Sequence, residues 1–235
     1  MPRRASTIVL LLVVSLCGCP DSSAEKRKAK REAAWATHEP ALQTLTEQLP
    51  KFAEDAAAQE KLAEARWEVS EPLDCRSKTE GHNALVVQLE DLGDDKPSYL
   101  LDLGDRGTLR TVERVRAGEV PDSISDMGMA AGVSYVLLVR VHEVRGPVIP
   151  EGGLSEFERG YVRGDVLVYD VRDGVGKGGF PFEGTNSETV KAGVDDPESW
   201  LQNDLFRATR RAIHDAIEAQ GEGNQGPLGP DDRLR

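Results

Sequence analysis

At 235 residues, with 39% apolar and 5% aromatic residues, the chain supports one modest core with long flanks and excludes a membrane bundle. Its formal net charge of −12 argues against nucleic acid as a partner, because neutralising phosphates takes clustered Lys and Arg. The same acidity argues against the body of the protein lying on anionic lipid, and no repeat of solenoid or propeller period is visible.

At the amino terminus Arg3 and Arg4 precede an apolar run from Ala5 to Leu16. A spanning helix needs about 20 apolar residues. This shorter run, with its basic flank, has the form of an export signal. Two cysteines follow in the order Leu16-Cys17-Gly18-Cys19. This order resembles the lipobox of bacterial lipoproteins: Leu at −3, a small residue at −2, Gly at −1, then the modified cysteine. Cys19 fits the last position. Cys17 does not, because Leu16 before it is too bulky for the cleavage position. Cys17 itself sits at −2, where Ala, Ser or Thr is more usual.

The resemblance implies diacylglycerol on the Cys19 thiol and cleavage between Gly18 and Cys19. The freed amine is open to a further acyl chain. It makes the lipid bilayer a partner and the bacterial envelope the location, with the outer membrane facing the periplasm favoured over the inner. Two or three acyl chains anchor stably where one is marginal. The alternatives are an ordinary cleaved signal with two incidental cysteines, or a C-x-C metal site, for which no nearby Cys or His completes a ligand set. Cleavage after Gly18 removes Arg3 and Arg4 and leaves 27 basic against 41 acidic residues, a net charge of −14. Cys75 is then the remaining free thiol. It reads as a small buried residue, with His82 the nearest histidine in the chain.

After Asp21-Ser-Ser-Ala comes Glu25-Lys-Arg-Lys-Ala-Lys-Arg-Glu32, five cations beside the anchor. They read either as a contact with anionic head groups or as a solvated helix face with Glu25 and Glu32 placed for i,i+3 and i,i+4 pairs. The second reading is preferred here. From Ala24 to about Trp67 the pattern is helical, with Pro40 and Pro50 each expected in a first helical turn. Leu42, Leu45, Leu49 and Phe52 form an apolar stripe expected to pack on the chain's own domain.

Ala84–Leu89 and Ser98–Leu103 read as strands around an acidic turn with Asp91, Asp94, Asp95 and Pro97. That turn lacks the regular spacing of a calcium loop. Thr108–Val115 is ambiguous between strand and helix. Pro121–Gly132 reads as a short helix with a glycine stop. Val133–Val141 follows as a central strand buried on both faces, and Gly146–Gly153 as a turn-rich insert. Gly160–Val171 pairs with Gly179–Val190 through Arg172–Gly178. Asp195-Asp196-Pro197-Glu198 starts a last helix with Leu201, Leu205, Ala212, Ile213, Ala216 and Ile217 on one face. Gly221 ends it, and the Gly/Pro/Asp-rich tail reads as disordered.

The expected fold class is α/β (α+β): a small, mostly antiparallel or mixed sheet packed against helices, preceded by a helical tether. The expected organisation is a signal peptide over 1–18, a tether over 19–33, a helical region over 34–70, the α/β domain over 71–220 and a tail over 221–235. The order of elements over Ser123–Gln220, with its VSYVLLVRV strand and VYDVRDG turn, resembles a group of small periplasmic α/β lipoproteins. That group includes a penicillin-binding-protein activator, the curli secretion lipoprotein and the amino-terminal domain of TolB. The resemblance implies binding or assembly, with an envelope protein or polymer as partner, and carries over no interface residue.

No catalytic, metal or cofactor motif is present, so no enzyme activity and no cofactor are expected. His38, His82, His142 and His214 lack metal spacing, and neither H-E-x-x-H nor G-x-S-x-G occurs. Gly174–Gly179 lacks P-loop order and reads as a hairpin turn. Arg163-Gly164-Asp165 spells an adhesion tripeptide inside an expected strand and is taken as chance. His142-Glu143 forms an acid/base pair in sequence, with a solvated strand edge as the preferred reading. An envelope enzyme with an unrecognised site, or a structural spacer, remains the competing class.

Overall fold

Pro40 and Pro50 do not interrupt the first helix. In a computed structural model that describes residues 22–75, 82–92, 106–151, 157–188 and 196–223, α1 runs unbroken over Ser22–Ala58 with both prolines inside it. Each interior proline costs about 3 kcal/mol of helix stability. The offset is tertiary. Leu42, Leu45, Leu49, Phe52 and Ala56 are all almost fully buried, and each large side chain so buried contributes about 1.5–3 kcal/mol. The stripe packs on the protein's own sheet, as its spacing predicts.

The helical pattern was expected to reach Trp67, but the helix stops at Ala58 and Arg66–Trp67 instead form a short edge strand, β1. The remaining strands are β2 (Ala84–Gln88), β3 (Tyr135–Arg145), β4 (Tyr161–Asp170) and β5 (Val175–Thr185), in the spatial order β1-β5-β4-β3-β2. β2 and β3 are parallel and every other neighbour pair is antiparallel, so the sheet is mixed. Between β2 and β3 lie a single 3-10 turn (Leu89–Leu92), α2 (Arg106–Arg116) and α3 (Ile124–Ala131). The ambiguous Thr108–Val115 segment is thus helical, burying Thr108, Thr111 and Val112 at i, i+3 and i+4. Ser123 caps α3 by accepting the Asp126 N–H at 3.1 Å, and Gly132 ends it. The expected strand Ser98–Leu103, the acidic turn beyond Leu92 and the tail beyond Gly223 lie outside the described residues.

α1 and α2 cover one face of the sheet and α4 (Pro197–Gly223) the other. Alternation sorts the strands between the two layers. Leu85, Val87, Val136, Leu138, Leu167 and Tyr169 face α1. Ala84, Val86, Tyr135, Leu137, Val139, Val166 and Val168 face Leu205, Ile213 and Ile217 of α4. Asp196 accepts the Ser199 N–H at 3.1 Å and Pro197 takes the first helical position, so α4 starts where the sequence places it. It continues past Gly221 to Gly223.

The β4–β5 hairpin is shorter than its glycines suggest. Asp170 Oδ1 accepts the N–H groups of Arg172 and Asp173 at 2.9 and 3.1 Å, and the turn closes over Val171–Gly174. Gly174 stays in the turn, while Gly176 and Gly178, expected in the same loop, lie in β5. Gly178 has φ +94°, and a Cβ there would come within 1.9 Å of the Arg66 carbonyl oxygen, so this residue lets β1 approach the sheet. β5 ends at Thr185, before the expected Val190. There the fully buried Asn186 donates to the Leu201 carbonyl at 2.6 Å and accepts the Gly160 N–H at 2.9 Å, tying the strand end to α4.

Candidate functional site

β3 and β4 extend beyond the end of α1, and there charged residues replace the aliphatic core. Val139 opposes Val166, Arg140 opposes Asp165, Val141 opposes Gly164 and Glu143 opposes Arg163. His142 is the extra residue of a bulge between Val141 and Glu143. A bulge sets two residues against one and re-aims their side chains. Here it lets His142 and Glu143, neighbours in sequence, line one groove.

The inner rung is closed. Arg140 is 5% exposed and Asp165 fully buried. Their pair is two-pronged, Nε to Oδ1 and Nη2 to Oδ2, both at 2.7 Å. The same guanidinium donates to the carbonyls of Ala56 at 2.6 Å, Gln59 at 2.8 Å and Glu60 at 2.9 Å. The Leu62 N–H donates to Asp165 Oδ2 at 2.8 Å. Helix ends leave carbonyls without intrahelical partners. Arg140, on β3, supplies one for Ala56 and ties down the Gln59 and Glu60 carbonyls just past the helix, holding the segment that leaves α1 against the sheet. Burial alone would raise the Asp165 carboxyl, but Arg140, the His142 ring beside it and the Leu62 N–H together outweigh burial and hold it below the ordinary carboxylate range. His142 Nε2 stands 3.0 Å from Asp165 Oδ2 but is buried without an aligned hydrogen-bond partner.

The outer rung is open. A groove of about 440 Å³ is bordered by Lys61, His142, Glu143, Arg163, Pro181 and Glu183. Arg163 Nε donates to Glu183 at 2.9 Å, and its Nη1 lies 3.6 Å from Glu143. Its guanidinium sits 4.3 Å from the centre of the Tyr161 ring, and Tyr161 Oη donates to Glu143 at 2.5 Å. The hydrogen bond to Glu143 pushes the Tyr161 phenol up, and that to Glu183 pushes the Arg163 guanidinium up. The groove thus presents two carboxylates, a fixed guanidinium, a lysine and an imidazole at the end of a sheet. Such an array recognises a polar segment by hydrogen bonds and charge; no Ser, Thr or Cys is among its lining residues.

The other sequence candidates are dispersed. Cys17, Gly18 and Cys19 lie outside the described residues. Cys75 packs on the α4-side core, and burial, with Asp74 and Glu218 nearby, pushes its thiol up to about 12. The half-buried thiol is thus held protonated at neutral pH, which disfavours a nucleophilic role. Arg163-Gly164-Asp165 lies inside β4 with Asp165 turned into the core, so the tripeptide is not presented on a loop. Gly174–Gly179 belongs to the hairpin and β5. Asp91 lies in the 3-10 turn, while Asp94 and Asp95 are outside the described residues. Among the described residues no group of three His, Cys, Asp or Glu side chains stands close enough to hold a metal. None of the described helices is long and apolar enough to cross a membrane.

Sequence reasoning missed the Arg140–Asp165 pair. The signal was present: one cation and one anion, each inside a run that reads as a buried strand, on strands expected to lie in one sheet.

No family model matches the chain, and no curated protein does. Among solved structures, a candidate lipoprotein of Caulobacter crescentus CB15 is similar at 16% identity with a TM-score of 0.31, over 61% of this chain and 93% of that one.

Proposed function

We propose that the chain is a bacterial lipoprotein, anchored through acylated Cys19, whose α/β domain binds an envelope protein or polymer in an accessory or assembly role. The observation that carries the anchor is Leu16-Cys17-Gly18-Cys19 at the end of a short apolar run with a basic flank. The binding role is supported by the groove beyond α1, where fixed charges line the open end of an otherwise covered sheet. Outer-membrane placement facing the periplasm is part of the proposal.

Two experiments test it. Cys19→Ala should release the protein from membranes and remove the acyl mass, while Cys17→Ala should leave both intact. Cross-linking in whole envelopes should capture a defined partner with wild type, and the capture should survive single changes at His142 or Glu143. A turnover reaction abolished by His142→Ala would replace the binding module with an enzyme. A domain that can be exchanged for an unrelated one without phenotype would make it a spacer.

A further inference from the structure

The first three turns of α1 carry Lys26, Arg27, Lys28, Lys30 and Arg31 against Glu25 and Glu32. Only Lys28 uses the i,i+4 spacing, lying 3.8 Å from Glu32 with both side chains largely exposed. Lys26, Arg27 and Lys30 are exposed and make no ion pair among the described residues. The solvated face stitched by intrahelical pairs, preferred from the sequence, therefore accounts for one cation of five.

These cations border a surface built by tertiary contact. A groove of about 620 Å³ runs between the start of α1 and the start of α3, bordered by Arg27, Lys28, Lys30, Arg31, Asp122 and Ile124. Arg31 donates to Asp122 at 2.9 Å, and Arg114 of α2 pairs with the same carboxylate. Asp122 thus fixes the loop before α3 against two helices and neutralises only part of the positive charge around it. At the rim, Ile124 is 43% exposed, a large apolar side chain left in solvent. Exposed aliphatics beside free Lys and Arg suit a bilayer interface, where the apolar group enters the head-group boundary and the cations meet phosphate.

The place of the anchor selects the occupant. Three residues lie between Cys19 and Ser23, four Cα steps with a reach of at most about 14 Å whatever their conformation. A sulfur held in a bilayer keeps this groove beside the same leaflet. Resting on the anchor reading, we infer that the groove between α1 and α3 is a membrane-facing surface for anionic phospholipid head groups. It fixes which pole of the domain points at the bilayer. The acidic remainder of the chain is repelled from the same surface, and attraction at one pole with repulsion elsewhere orients the domain. The groove beyond α1 is built from other residues, on β3, β4 and β5 and just past the far end of that helix, and stays open to partners.

The test uses the chain from residue 19 onward with Cys19→Ser, so that acyl chains cannot dominate, floated with vesicles of phosphatidylcholine alone or with 30 mol% phosphatidylglycerol, an amount of the order found in anionic leaflets. Binding to the anionic vesicles at low salt is expected. It should fall about a hundredfold when Lys26, Arg27 and Lys30 all become Gln, be weakened by Ile124→Asp, and vanish at high salt. Arg31 is left unchanged because it holds Asp122. Equal binding to both vesicles, no binding to either, or binding indifferent to the triple change would overturn the inference. The unacylated protein separates the two ideas: a Cys19 found without lipid in cells would end the anchor reading and leave the vesicle result standing, and the reverse also holds.

Discussion

Two arginine–carboxylate pairs lie near each other on one sheet face and do different work. Arg140–Asp165 is sealed under the end of α1, with every guanidinium hydrogen bond spent on the fold. Arg163 with Glu183 and Glu143 lies further along the same strands in solvent. Residue type and geometry are alike; burial differs. A buried pair that loses one member strands the other charge in a medium that solvates it poorly, whereas an exposed pair exchanges its partner for water. The inner pair therefore holds the helix to the sheet, and the outer one stays exposed to solvent, where the proposed partner would meet it.

The largest effect should come from breaking the inner pair. Arg140→Met strips Asp165 of its two-pronged cation, leaving it the Leu62 N–H, and takes the side-chain donor from three carbonyls, and should cost about 3–5 kcal/mol in urea unfolding. Arg140→Met with Asp165→Leu removes both charges and should recover much of that loss. If the double change is as damaging as the single one, the capping of α1, not the stranded charge, carries the stability.

Acid should separate the two rungs next. The native Asp165 carboxyl titrates below its unfolded value of about 3.9. Its contribution is thus complete above that value and is lost as pH falls through the lower native one. The urea midpoint should drop steeply below about pH 4 in wild type and less steeply in Asp165→Asn, which starts from lower stability. Identical slopes would remove Asp165 from the acid transition.

Smallest is the outer rung. Arg163→Gln should leave the unfolding midpoint unchanged within error and reduce capture of the partner in envelope cross-linking. A large loss of stability would show that the exposed cluster is structural.

Much of this architecture was legible in the chain. The stripe Leu42–Phe52, the apolar run before Arg140 and the Asp196-Pro197 helix start each state their burial or their cap locally. What could not be read depended on distant partners. The segment that leaves α1 is held by Arg140, 80 residues or more away. The early close of the β4–β5 hairpin is set by Asp170, whose carboxylate takes the turn's N–H groups before the glycines are reached. The two prolines misled because their local cost is known and the burial that offsets it is not visible in sequence. At the groove, His142-Glu143 was visible as a pair, but the bulge that turns both toward Arg163 requires the register with β4.

The anchor rests on four residues at the amino terminus, and intact mass of the membrane-extracted protein tests it most directly. The expected mass is that of a chain beginning at Cys19 and carrying diacylglycerol, with or without a further acyl group on its amine. A chain that begins elsewhere, or a Cys19 that still bears a free thiol, would contradict it.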